Sequence, residues 1–384
     1  MLAVVKRLAR EWRGLKAFNA VPRRDRKIVF YAENGGFWTH FEPVFIALQR
    51  EELRSILYVT SCERDPLLIH APEGLLSFYI GEGSIRTVFF AVLDVDVLVM
   101  TMPDLQTFHI KRSTHSVKYA YLHHSLVSTH MVYRPAAFDH FDVILCAGPH
   151  HEQEIRTREA LLGLPPKHLV QHGYGRLDSI LAEGISGPIC RVQSDPITVI
   201  VAPTWGEHGL LEAHASKLVN ILLNAGIRVI VRPHPRTIER KPHLIRDLLD
   251  IFGSQELFAF DDQPNSYASL FKADIMISDW SGAALEFAMG LERPVLFIDV
   301  PEKILNPEYR SIDCEPLESS IRRQLGVILK VEDLTRSPAV LRDIFNNRSR
   351  WQIASRSARK RWVFNEGISG SVAADFLTTL THQS

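Results

Sequence analysis

Two adjacent histidines follow an apolar run of strand length. At the end of a strand, an imidazole can act as a proton acceptor. The run from Val117 to Leu122 leads directly into His123, His124 and Ser125. Imidazole titrates near neutral pH, so it can take a proton from an attacking hydroxyl group. Successive strand residues point to opposite faces, so we expect only one histidine of the pair to reach a substrate, and the residues leave open which one. Their spacing supports no closed metal site, and none is predicted.

A second strand end carries basic residues on both sides of a histidine. Arg232-Pro233-His234-Pro235-Arg236 follows the apolar run from Arg228 to Val231. The prolines stiffen the chain and hold His234 between two guanidinium groups. Cations in this arrangement can neutralise charge on the oxygens of a diphosphate without a metal ion. We therefore predict a diphosphate site at Arg232, His234 and Arg236.

A third strand end precedes a helical pattern. Ser278-Asp279-Trp280-Ser281-Gly282 lies directly before the helical residues 283–289. Backbone N–H groups and hydroxyls at a helix N-terminus favour phosphate, although a serine can also cap a helix that binds no ligand. Glu286 lies one turn further on and can accept hydrogen bonds from ribose hydroxyls, or it can be an ordinary surface carboxylate.

Two further strand ends carry polar residues, Ala202-Pro203-Thr204-Trp205 and Gly173-Tyr174-Gly175-Arg176-Leu177-Asp178. Open α/β sheets bind ligands beyond the carboxyl ends of their strands, which is where these segments are expected. We therefore place Thr204, Arg176, Asp178 and Ser125 in the cleft.

These strand ends belong to two series in which apolar runs of strand length alternate with helical patterns, typical of parallel sheets covered by helices. The first series has predicted strands at 27–32, 55–60, 95–100, 117–122, 142–147 and 169–171, and the second at 197–201, 228–231, 257–260, 274–277 and 295–298. The sequence therefore predicts an α/β fold with two Rossmann-like domains facing a cleft. We expect domains at 27–185 and 196–336, a linker at 184–196, and helices at 337–384 that pack across the domains.

Composition excludes several classes of protein. The 384 residues include 44 Lys and Arg and 44 Asp and Glu, with 46% hydrophobic residues, as in ordinary globular proteins. Four separated cysteines form no CxxC pair, which argues against a disulfide framework or a zinc site and favours a reducing cytoplasm. No apolar run approaches the length needed to cross a bilayer.

The N-terminal segment, residues 1–26, is basic and amphipathic. Together with Lys27 it holds nine Lys and Arg against two acidic residues, and apolar residues recur at intervals of three or four. Such a helix can lie on an anionic membrane surface, or it can dock on the body of the protein. Clustered cations can also bind nucleic acid, but no stacking platform or recognised motif accompanies them, so nucleic acid is not a predicted partner.

The ordered motifs resemble those of the CDP-glycerol glycerophosphotransferase family, which builds teichoic acids and related capsule polymers. The resemblance covers residues 117–299 and rests on His-x-Ser, Gly-Tyr-x-Arg-x-Asp, Ala-Pro-Thr-Trp, Arg-Pro-His-Pro and Ser-Asp-Trp-Ser in that order. It implies the two-domain GT-B architecture, a CDP-glycerol donor, a lipid-linked acceptor and no required metal or cofactor. It also implies a cytoplasmic protein attached peripherally to the inner face of the cytoplasmic membrane.

The resemblance also implies roles for individual residues. His123 matches the family's histidine and would be the general base, while His234 would stabilise the diphosphate or the leaving group. Ser278, Asp279 and Ser281 match the family's segment that binds the donor phosphate. Glu286 matches an acidic residue that contacts the ribose, and Thr204 would line the donor site. An acceptor hydroxyl would then attack the phosphorus remote from cytidine, and CMP would leave.

The sequence departs from the family pattern at several positions. His124 replaces a glycine, which leaves open which histidine is the base, and Gly282 stands where a second serine is usual. Gly206 replaces a basic residue, and the lysine that often follows the His motif is missing. Two other functions therefore stay open: a GT-B glycosyltransferase or epimerase acting on a UDP-sugar, and a non-catalytic protein that binds nucleotides or polysaccharide precursors.

Overall fold

The computed structural model describes residues 2–50, 56–108, 110–184, 195–263 and 266–381. The predicted linker at 184–196 lies mostly outside these residues. The strands are β1 Ile28–Ala32, β2 Ile56–Thr60, β3 Leu75–Tyr79, β4 Val97–Met100, β5 Lys118–Leu122, β6 Val143–Cys146, β7 His168–Gln171, β8 Thr198–Val201, β9 Arg228–Val231, β10 Phe258–Phe260, β11 Ile275–Ser278, β12 Val295–Asp299 and β13 Gly326–Lys330. The helices are α1 Leu2–Ala20, α2 Trp38–Arg50, α3 Ser84–Val92, α4 Pro149–Leu162, α5 Gly175–Gly184, α6 Leu210–Asn224, α7 Pro235–Arg240, α8 Pro242–Phe252, α9 Ala268–Lys272, α10 Gly282–Leu291, α11 Leu317–Leu325, α12 Ser337–Asn346, α13 Arg348–Trp362 and α14 Ser369–Thr381.

Two parallel sheets organise the chain, as the alternating pattern predicts. The first has the strand order β3-β2-β1-β4-β5-β6-β7 and the second β10-β9-β8-β11-β12-β13. The strand order reverses next to β1 in the first sheet and next to β8 in the second. Ligands bind at such switch points in doubly wound folds. The expected binding loops therefore follow β1 and β4 in one domain and β8 and β11 in the other.

The central strands of both sheets are almost entirely buried because helices cover both faces of each sheet, which explains the continuous apolar runs of these strands. In the first sheet, one core packs beneath α1 and α3 and another beneath α2 and α14. In the second sheet, one core packs beneath α6, α8 and α12. The remaining core joins side chains of α5 and the loop after β5 to those of α10, so apolar packing connects the two domains.

The chain after β13 folds into helices, as the sequence predicts. Helix α13 packs on α10 and α11 of the second domain, whereas α14 packs on α2 of the first. The C-terminal helices therefore contact both domains, and α14 closes one face of the first sheet.

Helix α1 docks on the first domain along one stripe only. Phe18 is buried edge-on against Phe78 and Phe89, with ring centroids 5.5 and 5.1 Å away. Gly14 brings the helix close to β3, since a Cβ atom there would lie 1.9 Å from the carbonyl oxygen of Tyr79. No described helix is long and apolar enough to cross a bilayer.

Candidate active site

The two histidines after β5 lie in different environments. His123 is buried, and its ring stacks on His151 with centroids 3.7 Å apart. Neither of its ring nitrogens has a hydrogen-bond partner among the described residues. Burial, and then the neighbouring His151, hold the pKa of His123 well below its usual range. The ring of His123 therefore points into the first domain and away from the cleft, unlike the general base that the family resemblance implies at this position.

His124 lies on the cleft side and is only partly buried. Its Nδ1 is 3.1 Å from the Tyr121 hydroxyl, and its ring packs near those of Phe37 and His40. Burial lowers the pKa of His124 to about 4, a hydrogen bond to the backbone of Thr101 opposes this shift, and the charge of Arg236 adds to it. Arg236 belongs to the second domain, so a charge on the opposite side of the cleft affects the pKa of His124.

His234 caps α7 from the second domain. Its Nδ1 accepts a hydrogen bond of 3.1 Å from the backbone N–H of Arg236, so in the neutral ring Nε2 carries the proton and can donate. Burial, followed by the charges of Lys303, Arg236 and His124, lowers the pKa of His234 to about 3. The two predicted histidines, one from each domain, are therefore close enough for their charges to interact.

The start of α10 meets the first domain at Ser125. Ser281 is the N-cap of α10, and its Oγ accepts from the backbone N–H of Ala283 at 3.3 Å. At Gly282 a Cβ atom would lie only 2.3 Å from Oγ of Ser125. The glycine that replaces the usual serine therefore permits this close approach between the domains.

Ser278 and Asp279, predicted to bind donor phosphate, are instead buried parts of the scaffold. Ser278 donates a hydrogen bond of 2.8 Å to the carbonyl oxygen of Ala202. Asp279 is fully buried and accepts from the backbone N–H groups of Thr204 at 2.7 Å and Leu210 at 3.4 Å. Burial raises the pKa of this carboxyl to about 6 against those hydrogen bonds. Both residues fix the loop after β8, including Thr204, against the loop after β11.

Glu286 links the two domains. Its carboxylate accepts hydrogen bonds from the Tyr174 hydroxyl at 2.6 Å and from Nε of Arg176 at 2.9 Å. Arg176 also donates to Oγ1 of Thr39 and lies over the ring of Tyr267. The structure thus brings the predicted site residues Arg176 and Glu286 together as hydrogen-bond partners of each other.

Two other predicted site residues have structural tasks. Asp178 accepts hydrogen bonds from the backbone N–H groups of Gly367 and Ser369 and from the Ser369 hydroxyl, at the start of α14. Arg232 donates to Asp261, Ser266 and Ser269 within the second domain, at 2.8 to 2.9 Å. The hydrogen bonds of both residues hold segments of the protein together, a role that the prediction of ligand-binding residues did not include.

Two groups that the motif analysis missed face the same region. Lys303, in the loop after β12, donates to Oγ1 of Thr204 at 3.0 Å and lies 4.1 Å from the ring centroid of Trp205. Burial lowers its pKa to about 8. Glu33 follows β1 at the first switch point, and burial raises its pKa while the charge of Arg236 opposes that rise. The strand-end rule would have found Glu33, whereas Lys303 belongs to no motif.

A pocket of about 390 Å³ opens between the domains. Thr39 and Glu42 of α2 line it together with Ser179 and Glu183 of α5, and Ser266, Tyr267, Ala268 and Phe271 line it from the second domain. Through Tyr267 and Thr39 the pocket adjoins Arg176 and hence Glu286. The described residues contain no cluster of three His, Cys, Asp or Glu side chains arranged to hold a metal ion.

The loop that follows His124, residues 125–131, is attached to both domains, and we call it the bridging loop. Ser128 donates from its backbone N–H and its hydroxyl to Glu318 of α11, both at 2.8 Å. Thr129 makes the same pair of bonds to Glu154 of α4. The carbonyl oxygen of Met131 accepts from the backbone N–H groups of residues 305 and 306. The position of His124 therefore depends on second-domain segments as well as on β5.

Comparison with known proteins agrees with the motif analysis. Residues 136–303 match the family model described as CDP-Glycerol:Poly(glycerophosphate) glycerophosphotransferase. No curated protein sequence matches the chain. The structure is similar to that of the wall teichoic acid polymerase TagF, with a TM-score of 0.59 and 14% identity, covering 100% of this chain and 96% of that one.

Other similar structures have different activities. The UDP-GlcNAc 2-epimerase from Neisseria meningitidis, bound to UDP-GlcNAc, gives a TM-score of 0.60 at 12% identity over 92% of this chain and all of that one. WaaG, a glycosyltransferase involved in lipopolysaccharide biosynthesis, gives 0.50 at 12% identity over 91% and 99%. These likenesses confirm the GT-B fold, and the family match over residues 136–303 confirms the resemblance to the glycerophosphotransferase family.

Proposed function

We propose that this glycerophosphotransferase-like enzyme moves a glycerol-phosphate or related polyol-phosphate unit from CDP-glycerol to a hydroxyl of a membrane-linked teichoic-acid or capsule-type acceptor, with release of CMP. The observation that carries the proposal is that His124 of the first domain and His234 of the second both lie near Arg236, whose backbone N–H donates to His234 at 3.1 Å and whose charge adds to burial in lowering the pKa of His124. A family match that spans His234 and the start of α10 supports the same chemistry.

His124 is the general base in this proposal, in place of His123. At neutral pH the His124 ring is uncharged, so one of its two ring nitrogens carries no proton and can take the proton of the acceptor hydroxyl. A base with a pKa of about 4 is weak. A bound diphosphate would offset the charge of Arg236, which is one cause of the low pKa, and so would strengthen the base.

His234 and the first turn of α10 stabilise the negative charge that develops on the donor. The Nε2–H of His234 is free to donate to a phosphate oxygen because Nδ1 is occupied by the backbone of Arg236. The positive end of the helix dipole at the N-terminus of α10, near Ser281, favours the same anion. The phosphorus–oxygen bond to CMP then breaks as the acceptor oxygen bonds to phosphorus.

The pocket beside Glu286 is the proposed site of the donor nucleoside. Tyr267 and Phe271 offer aromatic surface to a base, and Glu286 accepts hydrogen bonds from the ribose. Since Tyr174 and Arg176 already hold this carboxylate, the ribose hydroxyls share it through the remaining lone pairs.

The donor is identified by the nucleotide that the enzyme releases. The full-length protein is incubated with CDP-glycerol or UDP-GlcNAc and a lipid-linked acceptor, and the products are separated by chromatography. Release of CMP, coupled to growth of the acceptor by glycerol phosphate, is the expected result. Release of UDP or UMP, or epimerised UDP-GlcNAc, would favour the second candidate, which rests on the likeness to the epimerase fold. Nucleotide binding without turnover would favour a non-catalytic binding protein.

The outer face of α1 is the proposed membrane contact at the inner face of the cytoplasmic membrane. Val4, Val5, Leu8 and Trp12 are 40 to 57% exposed, while Leu15 and Phe18 hold the helix on the protein. The surrounding Lys and Arg side chains add about 1 kcal/mol each near an anionic surface.

Vesicle co-sedimentation tests this contact. Exchange of Leu8 and Trp12 for serine should greatly reduce binding to vesicles with anionic phospholipid, since both side chains are exposed and the exchange leaves the helix core intact. Ile353→Ser on α13, where the side chain is 72% exposed, is the matched control and should bind normally. Equal binding by all three proteins would count against α1 as the contact.

A further inference from the structure

Three cations from separate parts of the second domain surround the indole of Trp205. The guanidinium carbons of Arg236 and Arg240 lie 4.7 and 4.9 Å from the ring centroid, and Nζ of Lys303 lies 4.1 Å from it. Trp205 itself follows β8, the two arginines lie on α7, and Lys303 follows β12. We call this group of four residues the Trp205 cage.

Three protein carboxylates act on the cage without a direct ion pair among the described residues. None of its three cations forms an ion pair with a carboxylate in the described parts of the chain. Asp279 and Glu212 act on Lys303, and Arg236 acts on Glu33. Asp279 also accepts from the backbone N–H groups of Thr204 and Leu210, and Oε1 of Glu212 accepts from the Thr237 hydroxyl. Three like charges around one ring repel one another, and an anion bound among them would relieve the repulsion.

We propose that the Trp205 cage is a phosphate-binding site and that Lys303 is its central ligand-binding residue. The inference rests on the proposed function, to which it adds a site and a residue. Among the residues that the structure describes, the Lys303 ammonium has one hydrogen-bond partner, Oγ1 of Thr204 at 3.0 Å, so two of its N–H groups are left for phosphate oxygens. Trp205 also lies beside His234, with ring centroids 6.2 Å apart, so the cage adjoins the proposed leaving-group site.

The electrostatics of Lys303 agree with an anion site. Burial lowers its pKa to about 8, and the charge of Arg236 contributes to the decrease, so free protein loses this positive charge in mildly alkaline solution. A phosphate beside the ammonium would restore the charged form. The phosphate belongs either to the donor diphosphate or to the acceptor polymer, because both reach the cleft between His124 and His234.

Direct ligand binding to the full chain separates these sources. Isothermal titration calorimetry with CDP, CMP, UDP and glycerol 3-phosphate is carried out on the wild type, Lys303→Met, Lys303→Arg and the control Lys360→Met, which alters an exposed lysine of α13. Charged hydrogen bonds of this kind contribute enough for a loss of roughly 10- to 100-fold in affinity. Lys303→Met should lose that much for CDP but little for CMP if the cage holds the donor's second phosphate. It should lose affinity for glycerol 3-phosphate instead if the cage holds the acceptor.

Lys303→Arg and pH distinguish a phosphate ligand from a structural role. Wild-type affinity should decrease above about pH 8, as the ammonium deprotonates, whereas Lys303→Arg should keep its affinity to pH 9 because guanidinium stays charged. Unchanged affinity of Lys303→Met for every ligand, or wild-type protein that binds none of them, would overturn the cage. If Lys303→Met lost affinity for UDP alone, the phosphate site at the cage would stand but CDP-glycerol would be rejected as the donor. The proposed phosphate site and the proposed function can therefore fail separately.

Discussion

The two adjacent histidines provide the sharpest test of the proposed chemistry. His124→Gln removes the ring that faces the cleft, and His123→Phe replaces the buried ring with another aromatic ring that can still stack on His151. A positioned general base contributes roughly 10²- to 10⁴-fold to turnover, which corresponds to about 2.7 to 5.4 kcal/mol in the activation free energy. We therefore expect kcat to fall by that factor in His124→Gln and by no more than a few-fold in His123→Phe.

Initial rates of CMP release measure kcat, and calorimetry with CDP provides the control, since the base has no contact with the nucleotide in the proposal. Both variants should bind CDP like the wild type. The pH profile adds a second readout: because burial lowers the pKa of His124 to about 4, kcat/KM in folded protein should show no acidic limb near pH 6.5. Equal losses in both variants, or full turnover by His124→Gln, would refute the assignment of the base.

Three further predictions concern the scaffold around the site. Glu286→Ala leaves the guanidinium of Arg176 buried without its carboxylate, so urea unfolding should show a loss of about 3 to 5 kcal/mol, and unchanged stability would contradict the link. Gly282→Ala places a methyl group 2.3 Å from the Ser125 hydroxyl and should weaken CDP binding, with Ser125→Gly as the second-site change expected to restore it. The free energy of unfolding should also decrease as the pH falls below 6.5, because histidines with lowered pKa values bind protons in the unfolded state but not in the folded state. An unfolding free energy from urea titration that stays constant between pH 7.5 and 5.5 would count against this. These histidines are His40, His123, His124, His150, His151, His172 and His234.

The sequence predicted the buried strands well and the edge strands less well. Nearly continuous apolar residues mark central strands such as β1 and β11, whose two faces are both covered. The strands β3 and β13 were missed, and each lies at a sheet edge with a mixture of buried and exposed side chains. A short mixed run of this kind does not differ from a loop in its periodicity.

Within the site, the sequence predicted which strand ends converge but not which side chains face the cleft. Asp279 carries the chemistry of a ligand-binding carboxylate, yet it turns inward because the backbone N–H groups of Thr204 and Leu210 need an acceptor. His123 turns inward because its neighbour His124 takes the opposite side of the strand end. Lys303 could not be found, since only the folded loop after β12 brings it to Trp205.

The bridging loop constrains the rigid-body motion of the two domains relative to each other. His124, the proposed base, lies directly before this loop, and Glu318 holds the middle of the loop to the second domain. Rotation of one sheet against the other must carry this segment along or break its bonds to Glu318 and Glu154. We therefore expect rotation of the domains to alter the width of the cleft entrance while His124 keeps nearly the same position relative to the second domain. In the proposed reaction, substrates could then enter and leave without disturbing the alignment of His124 with the donor.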